Sequence, residues 1–180
     1  KDKGENPLAV RYLFVSNHYR TQINFTFDGL KAAEASMDRL NEFVTKLKKA
    51  DGSGAEITES LEKAKLAFEE NMDDDLNISP ALAVIFDFIR DINSLLAENK
   101  ISKENASNII DFMKKLDLIL GIINFEDITV PDEVTKLVKE REDARKNKDW
   151  KKADEIREEI KNKGFHVDDT SEGTIVKKIS

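Results

Sequence analysis

Three side chains late in the chain have the types and spacing to read a nucleic-acid base. Trp150, Asp154 and Arg157 stand at i, i+4 and i+7, which at 100° per residue places them within about 60° of arc on one helical face. An indole plane stacks on an unstacked base, a carboxylate beside it accepts from base amino groups, and a guanidinium donates to carbonyls and ring nitrogens. Lys146, Lys148, Lys151 and Lys152 surround this face with cations suited to phosphates. A purely structural reading has equal weight. Ala153, Ile156 and Ile160 form an adjacent apolar stripe, so Trp150 could close a small core while Asp154 pairs with Arg157 at i,i+3.

Other chemistry-bearing residues lead less far. Asp73, Asp75 and Asn77 match the first three liganding positions of a calcium loop, but Ile78 replaces its turn glycine and Val84 its bidentate glutamate, so no metal site is expected. His18 and His166 are the only histidines and the chain has no cysteine, which leaves no zinc set, disulfide or cysteine nucleophile, and no triad around Ser16. There is no glycine-rich phosphate loop. No complete catalytic site is expected.

The elements that must position the base-reading face are mostly helical. Asn6-Pro7 reads as an N-cap with proline at N1, opening a helix through Leu8, Arg11, Tyr12 and Val15. From Asp28 to about Lys49, Leu30, Ala33, Met37, Leu40, Val44 and Leu47 recur in steps of three and four. A loop at Asp51–Gly54 precedes a third helix opened by Thr58, and a fourth is expected to start with Ser79 as cap and Pro80 at N1. A fifth runs from about Ser102 to Leu120. After a break from Asn124 to Pro131, two charged helices over about 132–146 and 149–163 are followed by Gly164 as C-cap. Phe165–Val167 and Thr174–Val176 then form a short β-hairpin around residues 168–173. The expected fold is mainly α: an antiparallel helical bundle over residues 1–123, a linker over 124–131, and a small helical hairpin with a β-ribbon over 132–180.

Composition agrees with this reading. The chain has 180 residues, 36% of them charged, with a net charge of −7. Residues 131–180 hold 13 Lys+Arg against 13 Asp+Glu, leaving 16 against 23 in residues 1–130, so a neutral tail follows an acidic body. Local field decides phosphate contact, so the acidic whole does not exclude a nucleic-acid partner. No apolar run approaches the roughly 20 residues of a membrane helix, which together with the absence of cysteine suggests a cytoplasmic setting without membrane partners. Because the chain opens at Lys1 in charged sequence, a fragment of a longer protein is expected.

Several separated motifs carry a resemblance over essentially the whole chain. They are Ala9-Val10-Arg11-Tyr12 with Ser16-Asn17-His18-Tyr19-Arg20; Met72-Asp73-Asp74-Asp75-Leu76-Asn77 before Pro80-Ala81-Leu82; and Asp143-Ala144-Arg145-Lys146, Lys148-Asp149-Trp150, Ala153-Asp154 and Asp168-Asp169. In this order they resemble the C-terminal portion of the cysteinyl-tRNA synthetase family. The resemblance implies a DALR-type bundle supporting the tRNA, followed by a domain reading the GCA anticodon of tRNA(Cys). Carried over by position, Trp150 stacks, Asp154 and Asp169 accept from base edges, and Arg145 donates; Arg157 and the four lysines are weaker contact candidates. Signature sequences for ATP and cysteine ligands for zinc are absent, so the resemblance assigns ATP, zinc and catalysis to a domain outside these residues. The last strand reads Thr174-Ile175-Val176-Lys177-Lys178 where many relatives place Trp and Arg, so its contacts are not carried over. A monomer without affinity for DNA is expected. Two alternatives are a fragment of a related cysteine ligase of thiol biosynthesis, which needs no anticodon reader, and a non-catalytic helical interaction module binding protein through an apolar groove.

Overall fold

A computed structural model describes residues 6–126, 130–170 and 173–178. They divide into two compact units, Lys1–Phe125 and Glu126–Ser180. The fold is mainly α, as the periodicity indicates.

The first unit contains α1 (Pro7–Val15), α2 (Phe27–Lys48), α3 (Thr58–Asp73), α4 (Ile78–Ala97) and α5 (Lys103–Leu120). Its helix starts follow capping chemistry. The Asn6 side chain accepts from the Leu8 N–H, Thr26 from Gly29 and Ser102 from Asn105, each satisfying one orphan donor of a first turn. The start of α4 differs from expectation. Its N-cap is Asn77, and Ser79 lies inside the first turn, where its hydroxyl donates to the Ser16 carbonyl at 3.1 Å. Pro80 is tolerated there because first-turn N–H groups have no intrahelical acceptor to lose.

The seam residues of α2, including Leu30, Leu40, Phe43 and Leu47, are buried with Ile85, Ile89 and Ile92 of α4 and Ile109, Met113 and Leu120 of α5. Polar contacts fix the ends of this core. The Arg11 Nε donates to the Leu120 carbonyl at 2.6 Å, placing a cation at the C-terminus of α5, where the helix dipole favours it. Beyond it, Gly121 turns the chain at φ 63°, and one oxygen of Asp117 accepts from both the Ile122 and Ile123 N–H groups at 2.8 Å.

The second unit packs α6 (Asp132–Lys146) and α7 (Trp150–Asn162) against an antiparallel pair, β1 (Phe165–Thr170) and β2 (Gly173–Lys178). The strands extend further than their apolar cores suggest, pairing Phe165 with Lys178 through to Thr170 with Gly173. The expected turn at Ser171 and Glu172 lies outside the described residues, as do Asp127, Ile128 and Thr129 of the expected linker. Gly164 adopts φ 82° after α7, the left-handed conformation expected of a C-terminal glycine. Val134, Ile156, Ile160, Phe165 and Val167 form the core, with Leu137, Val138 and Val176 packed on it.

Candidate nucleic-acid interface

The period of two along β1 determines what happens at the edge of this small core. Phe165 and Val167 face the helices and are buried, and Asp169 is the next residue on that same face. A carboxylate placed there needs partners. Across the hairpin, Thr174 sits opposite Asp169, and its hydroxyl lies 3.4 Å from Oδ1.

The helix beneath supplies two guanidiniums. Along α6, Val134, Leu137, Val138, Arg141 and Ala144 follow the helical apolar period, so Arg141 occupies a core-facing position and is only 3% exposed. Its Nη1 and Nη2 donate to Oδ1 and Oδ2 of Asp169, both at 2.8 Å, the fork-to-fork geometry of a strong charge-assisted pair. One turn later, Arg145 places Nη1 3.0 Å from Asp169 Oδ2. These donors, Arg141 first, hold the Asp169 carboxyl below the usual carboxylate range against the opposing effect of burial, and Asp169 in turn raises the Arg141 guanidinium.

Arg145 also meets the aromatic. Its guanidinium carbon lies 5.7 Å from the centroid of the Trp150 ring, within cation–π range. Trp150 opens α7 directly after the Asp149 cap, whose carboxylate accepts from the Lys152 N–H at 3.1 Å, and Lys148 makes the tight α6–α7 turn at φ 59°. The indole is 57% exposed and does not close the core, whose α7 contribution comes from Ala153, Ile156 and Ile160. Asp154 and Arg157 are exposed and form no ion pair with each other among the described residues.

Trp150, Arg145 and Asp169 are thus brought together through direct contacts, and Asp154 follows Trp150 one turn along α7. Lys146, Lys148, Lys151 and Lys152 are exposed around the α6–α7 turn, with Lys146 Nζ 3.7 Å from Asp143. A nearby cleft of about 250 Å³, lined by Glu140, Asp143, Ala144, Asn147, Asp149 and Lys152, includes none of the four proposed base-contact residues.

Sequence reasoning missed Arg141. Its signal was a charged residue on the apolar period of α6, but its partner lies 28 residues away. Two of the quoted motifs also meet in the first unit. Tyr19 donates its hydroxyl to Asp75 Oδ1 at 2.7 Å, Arg20 approaches Oδ2 at 2.9 Å, and His18 Nε2 lies 3.0 Å from the Asp75 carbonyl. Asp75 and Leu76 both have φ 55° in this turn. The acidic run therefore anchors the α1–α2 connection, while among the described residues no group of three His, Cys, Asp or Glu is arranged to hold a metal.

Comparison with known proteins extends this geometry. Residues 67–124 match the DALR domain family, and residues 129–175, which include every member of the Arg141–Asp169 cluster, match the family described as cysteinyl-tRNA ligase anticodon binding domain. The cysteine-tRNA ligase of Protochlamydia amoebophila is 39% identical over 98% of this chain, that of Chlamydia muridarum 42% over 94%, and that of Chlamydia caviae 36% over 99%. The chain spans 38% of the length of each of these relatives. With both domains in sequence order and similarity extending across them, the chain belongs to the cysteine-tRNA ligase family and carries its DALR and anticodon-binding modules.

Proposed function

We propose that this chain is the tRNA-binding C-terminal region of a cysteine-tRNA ligase and recognises tRNA(Cys), with the small unit reading the GCA anticodon. The exposed Trp150 ring beside the Arg145 guanidinium carries this reading, because it offers a stacking surface and a directional donor to one unpaired base. Asp154 supplies an acceptor on the same helix, and Asp169 joins the face through Arg145. Lys146, Lys148, Lys151 and Lys152 contribute phosphate contacts around it, and Arg157 is a further tRNA contact on the Trp150 face. The bundle over residues 1–125 supports the tRNA body.

The full-length ligase joins cysteine to tRNA at the expense of ATP, in the cytoplasm and as a monomer. Zinc does not fit the residues present here, because the chain has no cysteine and its described residues assemble no metal-ligand group; for ATP, the sequence carries neither a glycine-rich phosphate loop nor the family's ATP signature sequences. We assign both to the part of the ligase beyond this chain. Cysteine-dependent pyrophosphate exchange by these 180 residues alone would overturn that assignment.

Trp150 is the only tryptophan, which makes its fluorescence a local reporter. Titrating anticodon stem-loops bearing GCA or a scrambled triplet, at two salt concentrations, is expected to give quenching selective for GCA. Salt-sensitive binding with no triplet preference would reduce the face to a phosphate surface, and no binding would favour the interaction module or a requirement for the rest of the ligase.

A further inference from the structure

The reading face rests on a buried side chain that the family comparison does not single out. Arg141 projects into the core side of α6, and both its Nη atoms are committed to Asp169. Its Nε is buried and has no hydrogen-bond partner. Burying a guanidinium is costly, and a well-packed apolar residue in place of such a pair is often as stable or more so. The pair's geometry has a different consequence. Three hydrogen bonds and an ion pair crowd the two oxygens of Asp169, from Arg141 twice, Thr174 and Arg145. A carboxylate has about four lone-pair sites, and donors from three residues of the same unit converge on this one. Among them it holds Arg145, whose guanidinium is half exposed and lies over Trp150.

We propose that Arg141 is a positioning residue of the anticodon-reading face: it fixes Asp169, and Asp169 fixes Arg145 beside Trp150. This rests on the function proposed above and adds a second role to the acceptor role that the family resemblance gives Asp169. The rigid fork is essential to it. A lysine at 141 keeps the charge but presents a flexible point donor that cannot hold both carboxylate oxygens in one plane.

The test is a double-variant cycle on the 180-residue chain, using Trp150 emission and the ratio of GCA to scrambled stem-loop affinities. Arg141→Lys is expected to move the emission of the free protein to that of Arg145→Ala. It is also expected to lower triplet discrimination on the order of tenfold, the size of one lost base-edge contact. In an Arg145→Ala background, Arg141→Lys adds no further loss. Equal losses in both backgrounds would mean a general loosening of the unit, and full discrimination in Arg141→Lys would mean no positioning; either overturns the proposal. A second variant guards against failure to fold. Arg141→Met with Asp169→Leu removes both charges and leaves neither unpaired; it is expected to keep the helical circular dichroism while reproducing the emission of Arg145→Ala and at least its loss of discrimination, and wild-type discrimination there also refutes the proposal. If the wild-type chain shows no triplet preference at all, the base-reading function fails, and the emission comparison still decides whether Arg141 positions Arg145.

Discussion

Substituting Trp150 by Ala removes an indole that is 57% exposed and outside the core of its unit, so binding and stability separate at this residue. Loss of one base stack is expected to weaken the GCA stem-loop by ~1–3 kcal/mol while the thermal transition stays nearly unchanged. Equal weakening for every triplet would contradict a role in base reading. Asp169 makes the opposite kind of prediction, on stability. Hydrogen bonds from Arg141 and the charges of Arg141 and Arg145 depress its folded-state carboxyl. A depressed carboxylate contributes stability that is present above its unfolded value, roughly 3.9, and is lost as pH falls through the lower folded value. Wild type is therefore expected to lead Asp169→Asn in melting temperature at neutral pH, with the gap narrowing on acidification below pH ~4. A gap that widens in acid would show that the pair does not stabilise the ionised form.

At the scale of elements, local chemistry wrote the helices legibly and left the contacts between them unwritten. The Asn6-Pro7 start, the three-four seam of α2 and the glycine after α7 each depend on residues within a turn of one another, and each stands where the pattern places it. The cap of α4 shifted from Ser79 to Asn77 because the serine hydroxyl found the Ser16 carbonyl, 63 residues away. The site divides the same way. Trp150 and Asp154 share a helical face readable from spacing, whereas Arg145 and Asp169 entered only through the family resemblance, and Arg141 did not enter. Their contact depends on β1 folding back over α6, a tertiary event with no local signature. Loop pairing in the bundle is another such contact. Gly52 donates to the Ile101 carbonyl at 2.8 Å, and a Cβ there would lie 2.2 Å from the Asn99 carbonyl oxygen. Neither neighbour is a flexible side-chain tip, so Gly52→Ala must displace backbone. We expect it to destabilise the bundle by ~1–3 kcal/mol in urea denaturation, and an unchanged midpoint would show that the two loops do not hold each other.

For the whole molecule, charge distribution constrains how the bundle can support tRNA. Residues 1–130 carry 16 Lys+Arg against 23 Asp+Glu, while residues 131–180 balance at 13 of each. An acidic bundle repels a phosphate backbone over the range set by salt, about 10 Å at 0.1 M. If the bundle supports the tRNA body as proposed, this balance favours a few directional contacts over a broad cationic surface. The two halves should then respond oppositely to salt. Stem-loop binding through Arg145 and the lysines of the α6–α7 turn weakens as salt rises, because displaced counterions return to the RNA. The additional affinity of a whole tRNA(Cys) transcript over its stem-loop reports the bundle alone. Since salt screens repulsion there, this added affinity is expected to grow between 50 and 200 mM salt, a range over which ordinary phosphate contacts lose strength by orders of magnitude. Titrating both RNAs into the 180-residue chain across that range measures the ratio directly. Equal affinities at every salt concentration would remove the bundle from tRNA recognition, and a ratio falling with salt would mean that the bundle grips the backbone through local cations despite its net charge.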